Sequence, residues 1–251
     1  MKRIFIVMMS VLLAGSTFFF TGCDKKGEES SAVEQSEGVE MTTSPHLVSN
    51  DNCEYVVLAD ELSISYTDTE GIDYDVVYRM PEILIGSEDA DRINKEINNL
   101  CEEIFYEGEQ CQENKTTLVT TSLDYASYQN DNIVSLFITA KNCWGLTDYY
   151  VYNINTETGE EFDNDDILSV LSMKKSEFNS LFETAINDMF EEVMNNSEDD
   201  SFFKEQIDKT LDEDNINETK LFLGNDKSLW ALGKVYSVAG GEYYYRLIQL
   251  N

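Results

Sequence analysis

The chain has 251 residues, with 17 Lys and Arg against 49 Asp and Glu, and a net charge of −32. Such a charge excludes nucleic acid as a partner, because phosphate recognition needs a basic footprint, and it disfavours adhesion to anionic lipid or teichoic acid. It favours solubility, cationic partners and divalent counter-ions.

The chain opens on a leader. Lys2 and Arg3 precede an apolar run from Ile4 to Phe20, and Thr21-Gly22 supplies the small side chains needed before a cleavage at Cys23. At ~17 residues the run sits at the lower limit for a spanning helix, and a cysteine and a polar tail follow it. The pattern predicts a bacterial lipoprotein signal peptide over residues 1–22. Cys23 then becomes the N-terminus and the site of lipid attachment, carrying diacylglycerol with acyl chains such as palmitate. The expected location is the outer face of the cytoplasmic membrane, with the membrane as a partner through the lipid on Cys23. Loss of residues 1–22 takes Lys2 and Arg3 with it, so the remaining 229 residues carry −34.

Residues 23–52 predict a lipid-anchored flexible stalk. They are rich in Glu, Ser, Gly and Thr and nearly devoid of large apolar side chains, so they cannot bury enough surface to offset ordering entropy. His46, the only histidine, lies there beside Pro45.

The body begins near Cys53. Tyr55–Leu58 and Leu62–Tyr66 read as strands, the second by strict alternation. Gly71 turns the chain into a strand from Tyr74 to Met80, which Pro81 ends or edges. A helix is predicted over 88–106. Ile93, Ile97, Leu100 and Ile104 make its apolar stripe, Ser87 is its N-cap, and Glu88, Asp89 and Asp91 sit in the first turn, where the helix dipole favours them. Thr116–Tyr128, Ile133–Ala140 and Tyr149–Asn155 predict an antiparallel meander. Asp163 opens a short helix over 165–171. A longer one runs from about Lys174 to Asn195, and a weaker one over 201–211. Lys220–Leu223, Ser228–Val235 and Tyr243–Leu250 close the chain as strands. The order predicts an α+β fold, antiparallel sheets with two or three packed helices. It divides into two halves, 53–142 and 143–251, the second packed on the first.

Cys53, Cys101, Cys111 and Cys143 are even in number. Outside the cytoplasm they permit two disulfides in three pairings, and at least one is expected. Cys101 falls on the apolar side of its helix, where a buried thiol is the competing reading.

Catalytic patterns are missing from the sequence. A Ser–His or Cys–His pair needs a histidine held about 3 Å from the nucleophile, and His46 sits in the stalk. Zinc hydrolysis fails for the same reason, and no Gly-rich phosphate loop is present. Asn153, Asn155, Glu157 and Asp163 to Asp166 crowd oxygen ligands together. Counting from Asn153, however, Gly159 is seventh and Asn164 twelfth, which misses the calcium-loop spacing. No metal and no cofactor is expected. Exposed Tyr and Trp are common at binding surfaces, which makes Trp144, Tyr149, Tyr150, Tyr152, Trp230, Tyr243, Tyr244 and Tyr245 the candidate ligand-binding residues. The competing reading is a strand buried on both faces.

Two stretches carry a family resemblance. One is Tyr78-Arg79-Met80-Pro81-Glu82-Ile83 with the later Ile93-Asn94-Lys95-Glu96-Ile97. The other is Tyr149-Tyr-Val-Tyr-Asn153-Ile-Asn155-Thr156-Glu-Thr-Gly159-Glu, followed by Asp166-Ile-Leu168. Over about residues 54–250 the chain resembles a family of extracytoplasmic bacterial domains. That family, a domain of unknown function, includes the sensor domain of lysozyme-responsive anti-sigma factors and the non-catalytic N-terminal domain of certain peptidoglycan deacetylases. The resemblance implies an α+β cell-envelope binding domain, in some members one that recognises lysozyme. Lysozymes are often strongly basic, which suits an acidic receptor. Where the family has Gly-Gly-Ala-His, this chain has Lys141-Asn-Cys143-Trp144-Gly145-Leu146, so a role for that loop does not carry over. Enzymatic and transcriptional roles of relatives are not expected here.

These readings converge on a non-enzymatic binding lipoprotein for a cationic envelope partner, such as a lysozyme-like protein, or for a cell-wall component. The alternative is a cell-envelope glycan hydrolase using two carboxylates about 5–9 Å apart. A structural spacer would instead show a large exposed apolar patch.

Overall fold

A computed structural model describes residues 53–194, 200–236 and 243–251. The leader, Cys23, the stalk and His46 lie outside the described residues. The fold is α+β.

β1 (Val56–Thr67) and β2 (Asp73–Ile83) pair antiparallel, with a bulge between Leu58 and Asp60. The two strands predicted over 55–66 are therefore one. The bulge at Ala59-Asp60 is what breaks its alternation. Pro81 stands inside β2 opposite Leu58, beside that bulge, where the ladder is already interrupted.

α1 (Glu88–Asn114) follows, capped by Ser87, whose Oγ accepts the Ala90 N–H at 3.1 Å. It outruns its prediction by two turns. Gly108 and Cys111 continue the buried stripe after Ile104, but as small residues they leave no apolar period to read. Gly108 is small for a reason: a Cβ there would lie 2.8 Å from Tyr78 Cε2.

β3 (Thr120–Asn130), β4 (Ile133–Asn142) and β5 (Thr147–Asn155) form the predicted meander. The first sheet has the order β1-β2-β3-β4-β5. β2 meets β3 in parallel, through the pair Tyr78 and Leu123, because α1 carries the chain back across the sheet between them. The expected division at 142/143 runs through the β4–β5 hairpin. By its pairing β5 belongs with the first sheet.

α2 (Asn164–Val170) starts on a capping box between Asp163 and Asp166. α3 (Lys175–Met194), α4 (Asp200–Thr210) and an unpredicted α5 (Glu213–Glu218) follow. β6 (Lys220–Leu223), β7 (Leu229–Tyr236) and β8 (Tyr243–Gln249) make a second antiparallel sheet in that order.

Three buried clusters set the layers. Ile93, Ile97 and Cys101 of α1 pack on Leu136, Ile138 and Ile154 of the first sheet. Phe178, Phe182 and Ile186 of α3 pack on Leu229, Ala231 and Ile248 of the second. Between the sheets, Phe222 lies 5.2 Å from the ring of Phe137 and 6.3 Å from that of Trp230.

The four cysteines of the body are free thiols, against the expectation of a disulfide. Cys101 and Cys111 are buried on one helix, ten residues and so about 15 Å apart. Cys143 is exposed at the β4–β5 turn and Cys53 is half-buried.

Candidate functional site

The eight aromatic candidates separate by strand parity. On β5, Tyr150 and Tyr152 face the α1 side, while Tyr149 and Val151 face the second sheet. Burial raises both inward hydroxyls, that of Tyr152 to about 12. Trp230 is only 6% exposed and stacks on Phe222 between the sheets, so it is core and not a surface anchor. Trp144 stands 71% exposed at the hairpin tip.

Tyr243, Tyr244 and Tyr245 are each more than a third exposed, at 38%, 37% and 42%. They sit on β8, which pairs with β7 on one side only. With Tyr149, Leu146, Asp148 and Arg246 they line a cleft of about 370 Å³ between β8 and the start of β5. The tyrosines form an edge-to-face ladder. Tyr236 and Tyr243 are cross-strand partners with ring centres 6.0 Å apart, and Tyr243 meets Tyr245 at 5.7 Å.

The ladder ends on an acidic groove. Tyr236 also lines a second cleft, of about 440 Å³, formed by α4, α5 and β7, with Glu205, Asp208, Asp212, Asp214 and Glu218 around it. Lys209 and Lys234 are its cations, and both are engaged. Lys209 pairs with Glu205 at 2.8 Å, and Lys234 pairs with Glu218, which raises the lysine above its ordinary value. Lys234 Nζ also lies 5.1 Å from the Tyr243 ring centre. Sequence reasoning missed this groove. Its signal was the i, i+3 spacing of Glu205 and Asp208 on one face of α4.

A third cleft, of about 560 Å³, opens near α2 and holds Glu161, Asp163 and Asp165 with Lys175 and Lys220. Two of its three carboxylates already have structural duties. Glu161 pairs with Arg92. Asp163 caps α2, accepting the N–H of Asp165 at 2.8 Å and of Asp166 at 3.0 Å. Among the described residues, no group of three or more His, Cys, Asp and Glu is placed to hold a metal ion.

Compared with known proteins, the chain matches no family model and no curated protein.

Proposed function

We propose that this chain is a membrane-tethered extracytoplasmic lipoprotein whose body is a non-enzymatic receptor for a cationic protein of the cell envelope, of which a basic lysozyme-like protein is the model. The observation that carries the reading is the acidic groove running into exposed tyrosines. Carboxylates provide steering and pairing for Lys and Arg, and rigid aromatic rings provide the desolvated anchor. The motif resemblance to envelope-sensing domains supports the same reading. A hydrolase needs one carboxyl to give a proton and a second to act as base or nucleophile. In the cleft near α2 both Glu161 and Asp163 are committed to structural contacts, which favours binding over hydrolysis.

The test is titration of the detergent-solubilised full chain with a basic lysozyme at about 50 mM and about 500 mM salt. Binding is expected at low salt and falls at least about tenfold at high salt. Glu205→Lys with Asp208→Lys should weaken it at low salt. No binding at about 50 mM salt, where steering is strongest, overturns the reading.

The tyrosine cleft favours a second reading, recognition of a wall carbohydrate. Exposed rings beside a few polar groups, in a cleft near the lower end of the usual ligand-site range of about 300–1,000 Å³, suit a sugar.

A further inference from the structure

Three arginines lie in the described residues, and two of them are saturated with carboxylate. Arg79 meets Glu61 and Asp124. Arg92 meets Asp89, Glu96 and Glu161. Arg246 meets none among the described residues, in a chain with 49 acids. Its Nε is buried without a hydrogen-bond partner, and its guanidinium lies 5.7 Å from the Tyr244 ring centre. It lines the tyrosine cleft together with Asp148, yet the two form no ion pair.

We propose that the cleft beside β8 binds an acidic sugar, with Arg246 receiving its carboxylate, the tyrosine rings lying against its ring face and Asp148 accepting its hydroxyls. A planar guanidinium matches a carboxylate through two parallel N–H···O bonds. Tyrosines with one wet edge suit a ligand that is apolar on one face and polar at its rim. The chain, at −32 overall, repels an anion at long range. Selection of the carboxylate is therefore local to Arg246, and added salt should not weaken it.

This inference rests on the carbohydrate reading, and the experiment separates the two. The full chain in detergent is titrated calorimetrically with methyl β-glucuronide against methyl β-glucoside, which differ only at C6, a carboxylate against a hydroxymethyl group. N-acetylmuramic acid against N-acetylglucosamine, which lacks its 3-O-lactyl group, is the second pair, so that the source of the carboxylate is also read. In at least one pair the acid should bind about tenfold more tightly, at both 50 and 500 mM salt. Arg246→Gln should abolish that preference. Arg246→Lys, which keeps the charge and loses the fork, should lose most of it, and retention of the unfolding midpoint certifies the fold. Equal affinities within both pairs, or an unchanged preference in a folded Arg246→Gln protein, overturn the role of Arg246 and leave the carbohydrate reading intact. No heat from any of the four sugars up to about 50 mM overturns both.

Discussion

Asp68 holds the turn between β1 and β2 with one carboxylate. Its Oδ1 accepts the N–H of Glu70 at 2.8 Å and of Ile72 at 2.9 Å, and the Tyr74 hydroxyl donates to Oδ2 at 3.3 Å. These bonds, the Ile72 N–H foremost, hold the carboxyl below its ordinary 3.8, against an opposing push from burial. A lowered folded value means that the unfolded chain takes up the proton first. The stability this adds is complete above about pH 4 and is lost as pH falls through the folded value. Melting temperatures between pH 2.5 and 6 should therefore fall more steeply for the native chain than for Asp68→Asn, whose neutral amide has no proton to take up. Parallel curves would refute this. The thiols give a second check at the same scale. Burial pushes Cys101 up to about 12, and Cys143 is exposed. Iodoacetamide at pH 8 should alkylate Cys143 in the folded protein and reach Cys101 only in denaturant. Of the cleft, the run 243–245 stood out in the sequence only as aromatics on one strand, where alternation leaves one set core and the other free to be exposed; all three rings are exposed. Arg246 did not, since a lone arginine carries no pattern and its distinction is the lack of a carboxylate partner among the described residues.

β6 is a strand with a substitute neighbour. It pairs with β7 on one side, and on the other its backbone meets side chains. Asn153 Nδ2 donates to the Leu221 carbonyl at 2.8 Å, and Leu221 N–H donates to Asn164 Oδ1 at 2.9 Å. Leu223 N–H donates to Ser135 Oγ at 3.2 Å, and Asn130 Nδ2 donates to the Gly224 carbonyl at 2.9 Å. Ser135 and Asn153 are themselves bonded at 2.7 Å and buried. Asn153→Ala strands the Leu221 carbonyl and should cost about 1–3 kcal/mol in urea unfolding. A loss well below about 0.5 kcal/mol would mean that water replaces the amide. None of this network was legible in the sequence. Asn130 falls between two predicted strands and Asn153 read as a strand residue among crowded oxygen ligands, while their partners lie 94 and 68 positions away. Elements with strong periods were legible, as with the stripe of α1. The six-residue α5 was not, because it rests on a cap, Asp212 Oδ1 to the Asp214 N–H at 3.0 Å, and has no apolar period.

The body is held together between its sheets. Phe222 touches ring systems from both, with Tyr128 at 6.2 Å and Phe137 at 5.2 Å in the first and Trp230 at 6.3 Å in the second. The polar network around β6 crosses the same seam. Neither sheet could leave the other without exposing this aromatic layer and orphaning buried amides, each a cost comparable to total domain stability when summed. The sequence order suggested two halves, but neither sheet buries its inner face alone. The two should therefore unfold as one cooperative unit. Phe222→Ala removes the central ring and should cost about 3–5 kcal/mol. It should lower the far-UV signal of the whole body and the tryptophan fluorescence of Trp230 at one shared, lower denaturant midpoint. Two separated midpoints, with the helical signal of α1 surviving the loss of Trp230 packing, would show instead that the first sheet and α1 stand alone.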